Sequence, residues 1–221
     1  MASHRSAQTH FTVLFVCTGN ICRSPVAERL ARNYVDAVLG ADAASMHFES
    51  AGTRAVVGSG VHPHSATVLT GLGGWSGGFV SRQLTDGIVV NADLTLGLTR
   101  AHRREALKRS PRGLSRTFTL LEAADLASLV PLDADLPGAT FADRCRSLVR
   151  HMAAARARRA SDAHDDIPDP VGESLGFHEE VGDAIADGIV RIFGRFAELS
   201  AAGHGLDRMP AAAPAYFLSG R

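Results

Sequence analysis

Apolar positions along the chain fall into short continuous runs and longer spaced stripes. Phe11 to Val16 is almost wholly apolar and too short for a helix, which predicts a strand buried on both faces. Met46 to Ser50, Ala92 to Leu98 and Arg116 to Leu121 predict three more strands. Between the first two, Val26, Leu30, Tyr34 and Val38 recur at i, i+4 and predict a helix that Gly40 stops. Ser24 reads as its N-cap, with Pro25 at the first helical position. Further helices are expected near Ser65 to Leu72 and Arg100 to Arg109. Strands alternating with helices imply parallel pairing and a doubly wound α/β sheet.

The last third changes rhythm. Phe141, Cys145, Leu148 and Met152 form a helical stripe opposed by Arg144, Arg146, Arg150, Arg156, Arg158 and Arg159. A charged helix face of this kind is ordinarily solvated, although it could also steer acidic substrates. A polar hinge, Ser161 to Asp166, leads into Ile167-Pro168-Asp169-Pro170. A long helix follows, with Phe177, Val181, Ile185, Ile189, Ile192, Phe196 and Leu199 on one side. These segments suggest a leader over 1–10, one domain over 11–200 with an insertion at 133–165, and a flexible tail over 201–221.

Composition narrows the class. At 45% hydrophobic and 21% charged the chain can fill a core, which excludes a wholly disordered protein. Lys+Arg 23 balances Asp+Glu 23, unlike a generally basic nucleic-acid binder. No apolar run approaches a membrane span, and the first ten residues lack a secretory signal, so a cytoplasmic location is expected. Three cysteines make no disulfide scaffold, and Cys17 with Cys22 finds no second cysteine pair for a zinc site.

The chemistry concentrates where the first strand meets the first helix. The segment Cys17-Thr18-Gly19-Asn20-Ile21-Cys22-Arg23-Ser24 joins a strand to a helix N-terminus, an arrangement whose amides and dipole converge on an anion. Gly19 and Asn20 are the residues that most easily accept positive φ there. Amide dipoles and Arg23 would favour a thiolate on Cys17. With five residues between them, a curled loop brings Cys17 and Arg23 to one phosphoryl group. The guanidinium then grips its oxygens while sulfur attacks phosphorus. A lone cysteine at a strand end is usually a small core residue. The preceding strand, the Gly-Asn pair and the Ser-Pro helix start together make Cys17 the candidate nucleophile.

The stretch from Val13 to Glu28 resembles the signature of the low-molecular-weight protein tyrosine phosphatases, and is similar to their bacterial members. Ser50-Ala51-Gly52-Thr53, Ser81-Arg82-Gln83-Leu84 and Ala92-Asp93-Leu94-Thr95-Leu96 also match that pattern. The resemblance implies a four-stranded parallel sheet carrying the cysteine loop at its C-terminal edge, with no metal or cofactor. It implies hydrolysis of phosphotyrosyl proteins and aryl phosphates through phosphocysteine, releasing inorganic phosphate, with no nucleic acid or membrane partner. In that reading Cys17, Arg23 and Asp169 are catalytic. Thr18, Gly19, Asn20, Ile21, Cys22 and Arg23 bind phosphate, and Asn20, Ser24 and Ser50 support the loop. Asp169 of Asp169-Pro170 is the expected general acid and then base, and Cys22 the expected redox partner of Cys17.

Two further activities share this fold. A protein arginine phosphatase would carry threonine where Ile21 stands. An arsenate reductase would need relay cysteines, for which only Cys145 is available. A phosphoprotein sensor would require that catalysis had been lost. The segment Arg54-Ala55-Val56-Val57-Gly58 lacks the aromatic residue that some relatives place against the phosphotyrosine ring, and Val171-Gly172 replaces the tyrosines that many carry after Asp-Pro.

Overall fold

The chain was analysed as a computed structural model that describes residues 10–159 and 164–201. Residues 1–9 of the expected leader, the tail beyond residue 201 and the first half of the polar hinge, Ser161 to Ala163, lie outside the described residues. Four strands are present: β1 (Phe11–Cys17), β2 (Met46–Gly52), β3 (Leu94–Gly97) and β4 (Thr117–Thr119). They pair in parallel, in the order β2-β1-β3-β4. Seven helices connect and cover them: α1 (Arg23–Leu39), α2 (Pro63–Gly71), α3 (Asp86–Asn91), α4 (Arg100–Arg109), α5 (Leu120–Leu129), α6 (Phe141–Ala155) and α7 (Leu175–Ala201). No helix among the described residues is long and apolar enough to cross a membrane.

The alternation within β1 explains its continuous apolarity. Phe11, Val13, Phe15 and Cys17 face a large core shared with α1, α5, α6 and α7. Leu14 and Val16 face a smaller one with Val89 of α3 and Ala106 of α4. A strand with a helix layer on each side needs apolar residues at both parities. Phe193 and Phe196 of α7 close the larger core, Phe193 edge-on to Phe48 at 5.3 Å and Phe196 at 5.5 Å from Phe11.

Two helices escape the sequence periodicity. The apolar run read as a strand through Leu121 stops at Thr119, where a capping box starts α5. The Thr119 hydroxyl accepts from Glu122 N, and the Glu122 carboxylate accepts from Thr119 N. Helix α3 has only six residues, too few to show a stripe. At α1 the expected cap is also corrected. Cys22 holds the N-cap position without a side-chain cap, and Ser24 lies inside the first turn with its hydroxyl turned to Cys17.

The arginines of α6 and of the turn that follows it are not a solvated face. Arg146 pairs with buried Asp93, and Arg156 with buried Glu122 while lying 4.3 Å over the Phe118 ring. Arg159 joins Asp125 of α5 to buried Asp165 just before the Asp-Pro segment. Only Arg150 and Arg158 of the set are exposed. The apolar stripe of α6, Phe141, Cys145, Leu148 and Met152, packs into the large core.

Removing one partner of a buried ion pair strands the other charge, at a cost of about 3 kcal/mol or more. Arg159→Met is therefore expected to lower the urea-unfolding free energy by about that amount. Arg150→Gln, on the exposed side, should leave it unchanged. Equal stabilities for the two variants would return Arg159 to the solvated face.

Candidate active site

The loop Cys17–Ser24 is shaped by where its carbonyls go. The carbonyls of Cys17, Thr18 and Gly19 accept from Thr53 N, Arg54 N and Val56 N at 2.9 to 3.0 Å, and Ile21 O accepts from His62 N at 2.7 Å. Across a planar trans peptide the carbonyl and the next N–H point oppositely. Carbonyls tied outward to residues 53–62 therefore turn the following amides inward, towards the loop centre. One of them is seen to arrive, since Asn20 N lies 3.2 Å from Cys17 Sγ. Gly52, at the end of β2, permits this wrapping, because a Cβ there would press into the Thr18 carbonyl and Ala55.

Asn20 is the one non-glycine residue with positive φ among the described residues, at 55°. Its amide holds that conformation. Asn20 Nδ2 donates to Ser24 Oγ and to Ser50 Oγ, both at 2.9 Å, while Oδ1 accepts from Arg82 N at 2.8 Å. Ser50 Oγ in turn donates to Glu28 Oε2 at 2.6 Å, and Arg82 Nε donates to Ser50 O. Ser24 Oγ stands 2.9 Å from Cys17 Sγ. The sequence singled out Asn20, Ser24 and Ser50 but missed Glu28 and Arg82, which complete the same network.

Arg23 is 4% exposed and its guanidinium is split between two partners. Nη1 donates to Ile167 O at 3.0 Å and Nη2 to Asp169 Oδ2 at 2.5 Å, while Nε is buried with no partner. An unsatisfied buried guanidinium N–H at an amide-lined loop is a place for an anion's oxygen. Asp169 leaves nearly half its side chain exposed and also accepts from Val171 N. Its neighbours are occupied elsewhere, Asp165 by Arg159 and Asp166 by Arg100. Among these three aspartates only Asp169 meets Arg23. Ile167 N donates to Leu98 O, which hangs this segment from the same sheet edge as the cysteine loop.

The other two cysteines are less reactive by position. Burial pushes the Cys22 thiol up to about 11, opposed in part by the Ser65 hydroxyl. Cys145 is fully buried in the large core and is pushed up further, so it offers no accessible relay thiol. Ile21 and Val56 border the loop near Gly19, and exposed Val57 follows. Trp75 is exposed.

His102 was also missed. Its Nε2 pairs with Thr18 Oγ1 and its Nδ1 with Thr99 Oγ1, both at 2.9 Å, so a neutral ring braces the loop from α4. Burial, with Arg23 adding to it, lowers its pKa to about 4. The unfolded chain, titrating near 6.5, therefore takes up the proton first. Stability from this site is complete above about pH 6.5 and is lost as pH falls towards 4. Wild type is expected to lose about 2 kcal/mol from this group between pH 7.5 and pH 5 in urea unfolding. His102→Gln should flatten that slope, and parallel slopes would remove His102 as its source.

Comparison with known proteins follows this geometry. The Escherichia coli K12 low molecular weight protein-tyrosine-phosphatase Wzb is 34% identical over 99 residues, 45% of this chain and 62% of Wzb, a little under two thirds of that relative's length. The protein-arginine-phosphatase of Bacillus subtilis is 32% identical over 114 residues, 50% of this chain and 70% of that protein. The solved YwlE arginine phosphatase from Geobacillus stearothermophilus shares the fold with a TM-score of 0.62 and 25% identity, over 88% of this chain and 97% of that one. The family model for low molecular weight phosphotyrosine protein phosphatase matches residues 12–128, from β1 through most of α5 and so including the whole cysteine loop. By that match the chain belongs to the low molecular weight phosphotyrosine protein phosphatase family.

Proposed function

We propose that the chain is a phosphatase that hydrolyses phosphotyrosine on proteins, and aryl phosphates, through a phosphocysteine on Cys17. The observation that carries this reading is the meeting of three groups at one loop. Cys17 Sγ lies within reach of Asn20 N–H, the Arg23 guanidinium closes the loop, and the Asp169 carboxyl touches that guanidinium.

The steps balance with these groups alone. Cys17 sulfur attacks phosphorus as the P–O bond to the leaving group breaks, while Arg23 and the inward amides hold the remaining oxygens. Asp169 gives its proton to the departing oxygen. A water then attacks phosphocysteine, Asp169 takes up its proton, and the P–S bond breaks to give phosphate and thiolate. The Ser24 hydroxyl and Asn20 N–H are the donors that receive the returning negative charge. Thr18, Gly19, Ile21 and Cys22 contribute to the phosphate cradle through their backbone.

The rim supports an aryl leaving group over a phosphoguanidinium. Ile21 and Val56 present aliphatic surface beside the loop and no carboxylate or hydroxyl. A tyrosyl ring can pack there, whereas a guanidinium would leave its N–H groups without partners. Equal concentrations of a phosphotyrosyl and a phosphoarginyl peptide discriminate the two. Phosphotyrosine is expected to give the higher kcat/KM, and the reverse order would make the chain an arginine phosphatase.

Cys17→Ser is expected to abolish turnover yet retain phosphate binding by calorimetry, since the cradle and Arg23 persist. Asp169→Asn should slow hydrolysis by ~10²–10⁴, with a smaller defect for leaving groups that need no proton. Arg23→Lys should fail as well, because an ammonium cannot form the planar grip. A larger defect from Asp166→Asn than from Asp169→Asn would move the acid to the wrong side of Ile167.

A further inference from the structure

Behind the cysteine loop, on the side facing α2 and α7, stands a group of side chains that the phosphatase reaction leaves unused. Ligand atoms of Cys22, His62 and His178 all lie within 4.8 Å of one another. His178 is 2% exposed, its Nδ1 is paired with Ser65 Oγ at 2.9 Å, and its Nε2 has no hydrogen-bond partner. His62 Nδ1 is likewise buried and unpartnered, while its ring stacks on His178 at 4.9 Å. Two orphaned imidazole nitrogens beside one thiol are an unusual arrangement, because buried polar atoms normally find partners. A cavity of about 10 Å³, room for about one water-sized sphere, adjoins this group; Cys22, Ser65 and His178 line it together with Arg23 and aliphatic side chains, and His62 stands outside its lining.

From this geometry we infer that Cys22, His62 and His178 form a binding site for a divalent cation of the zinc class, seated behind the phosphate loop. One thiolate and two imidazoles suit such an ion and do not suit magnesium or calcium, which take oxygen ligands. Around tetrahedral zinc, S and N ligand atoms stand about 3.4–3.6 Å apart, so groups that lie within 4.8 Å of one another need close by no more than about 1.4 Å. His62 supplies that movement by turning out of its stack on His178, since the in-plane lone pairs of near-parallel rings do not converge on one ion. It is half-buried at the start of α2, and it also gives the ion a path from solvent beside exposed His64. Ser65 orients His178 through Nδ1, the outer bond that fixes a ligating ring. Three protein ligands leave the fourth position to a water.

Charge and proton both balance. The cation displaces the Cys22 thiol proton to solvent, so one proton is released for each ion bound. Arg23 beside the cavity weakens cation binding, and Asp169 offsets part of that repulsion.

Cobalt(II) titration of the full, reduced chain reads this site without reference to activity. Wild type should bind one equivalent with a thiolate-to-cobalt charge-transfer band, displaced by zinc. The band should persist in Cys17→Ser, because the thiolate belongs to Cys22. His62→Ala and His178→Gln should each weaken binding by about tenfold or more. His64→Ala should change little. Circular dichroism confirms folding, and His62→Ala, at the half-buried position, carries the test if His178→Gln does not fold. Absence of the band in wild type would overturn the inference. So would a band lost in Cys17→Ser but kept in both histidine variants, which would put the metal on the nucleophile.

Discussion

The site depends on one backbone constraint: the loop after β1 must turn its carbonyls out so that its amides can turn in. That requires a left-handed residue at the bend, and Asn20 takes the role. Asparagine tolerates this conformation at a cost that its side chain then offsets, by bonding Ser24, Ser50 and the amide of Arg82 at once. The outward carbonyls need donors as well, and residues 53–62 supply them. Strand β2 and the segment after it therefore belong to the active site although they carry no reacting group. Glu28 extends the same logic into α1, since its carboxylate accepts from the Ser50 hydroxyl and so leaves the Ser50 lone pairs to meet Asn20.

The second constraint lies between loops. Arg23 donates to Ile167 O and to Asp169, and Ile167 N donates to Leu98 O at the end of β3. Asp169 is thus indexed to the sheet and to Arg23 by adjacent residues of one short segment. Arg159 and Arg100 pin the two preceding aspartates to α5 and α4. Arg156 and Arg159, just after α6, reach β4, α5 and the segment before Asp169, so this part of the chain acts through the scaffold.

How far the sequence spoke can be followed residue by residue. Strands β1 to β3 were legible as short apolar runs, and α1 and the long α7 because each repeats the helical period over many positions. Helix α5 was not, because Leu120 and Leu121 prolong the apolar run of β4. The Thr-Leu-Leu-Glu spacing of its capping box was the available signal. Cys17, Arg23 and Asn20 stood out as one local segment. Asp169 needed the family resemblance, since an Asp-Pro pair is usually a turn. His102, Arg82 and Glu28 carry no local pattern at all. They reach the loop only when parallel crossovers bring α4, the segment before α3 and the first turns of α1 to the same edge. The α6 arginines were misread because helical spacing shows which residues share a face, and says nothing of whether acids of another element cover it.

Cys22 shows how burial divides the work of two neighbouring thiols. Cys17 has an amide and a hydroxyl at its sulfur, whereas Cys22 faces Ser65, His178 and the apolar side chains of Val26, Val68 and Val181. With its proton held up to about 11, the thiolate fraction of Cys22 at pH 7 is about one in 10⁴. Attack on an oxidised Cys17 needs that thiolate, so burial slows Cys22 as a resolving partner. A metal ion removes the same proton directly, by forming a bond to sulfur. The two uses exclude each other, because a coordinated sulfur has given its reactive lone pair to the ion. In a closed loop with two free imidazole nitrogens alongside, coordination is the chemistry for which the Cys22 surroundings are already arranged.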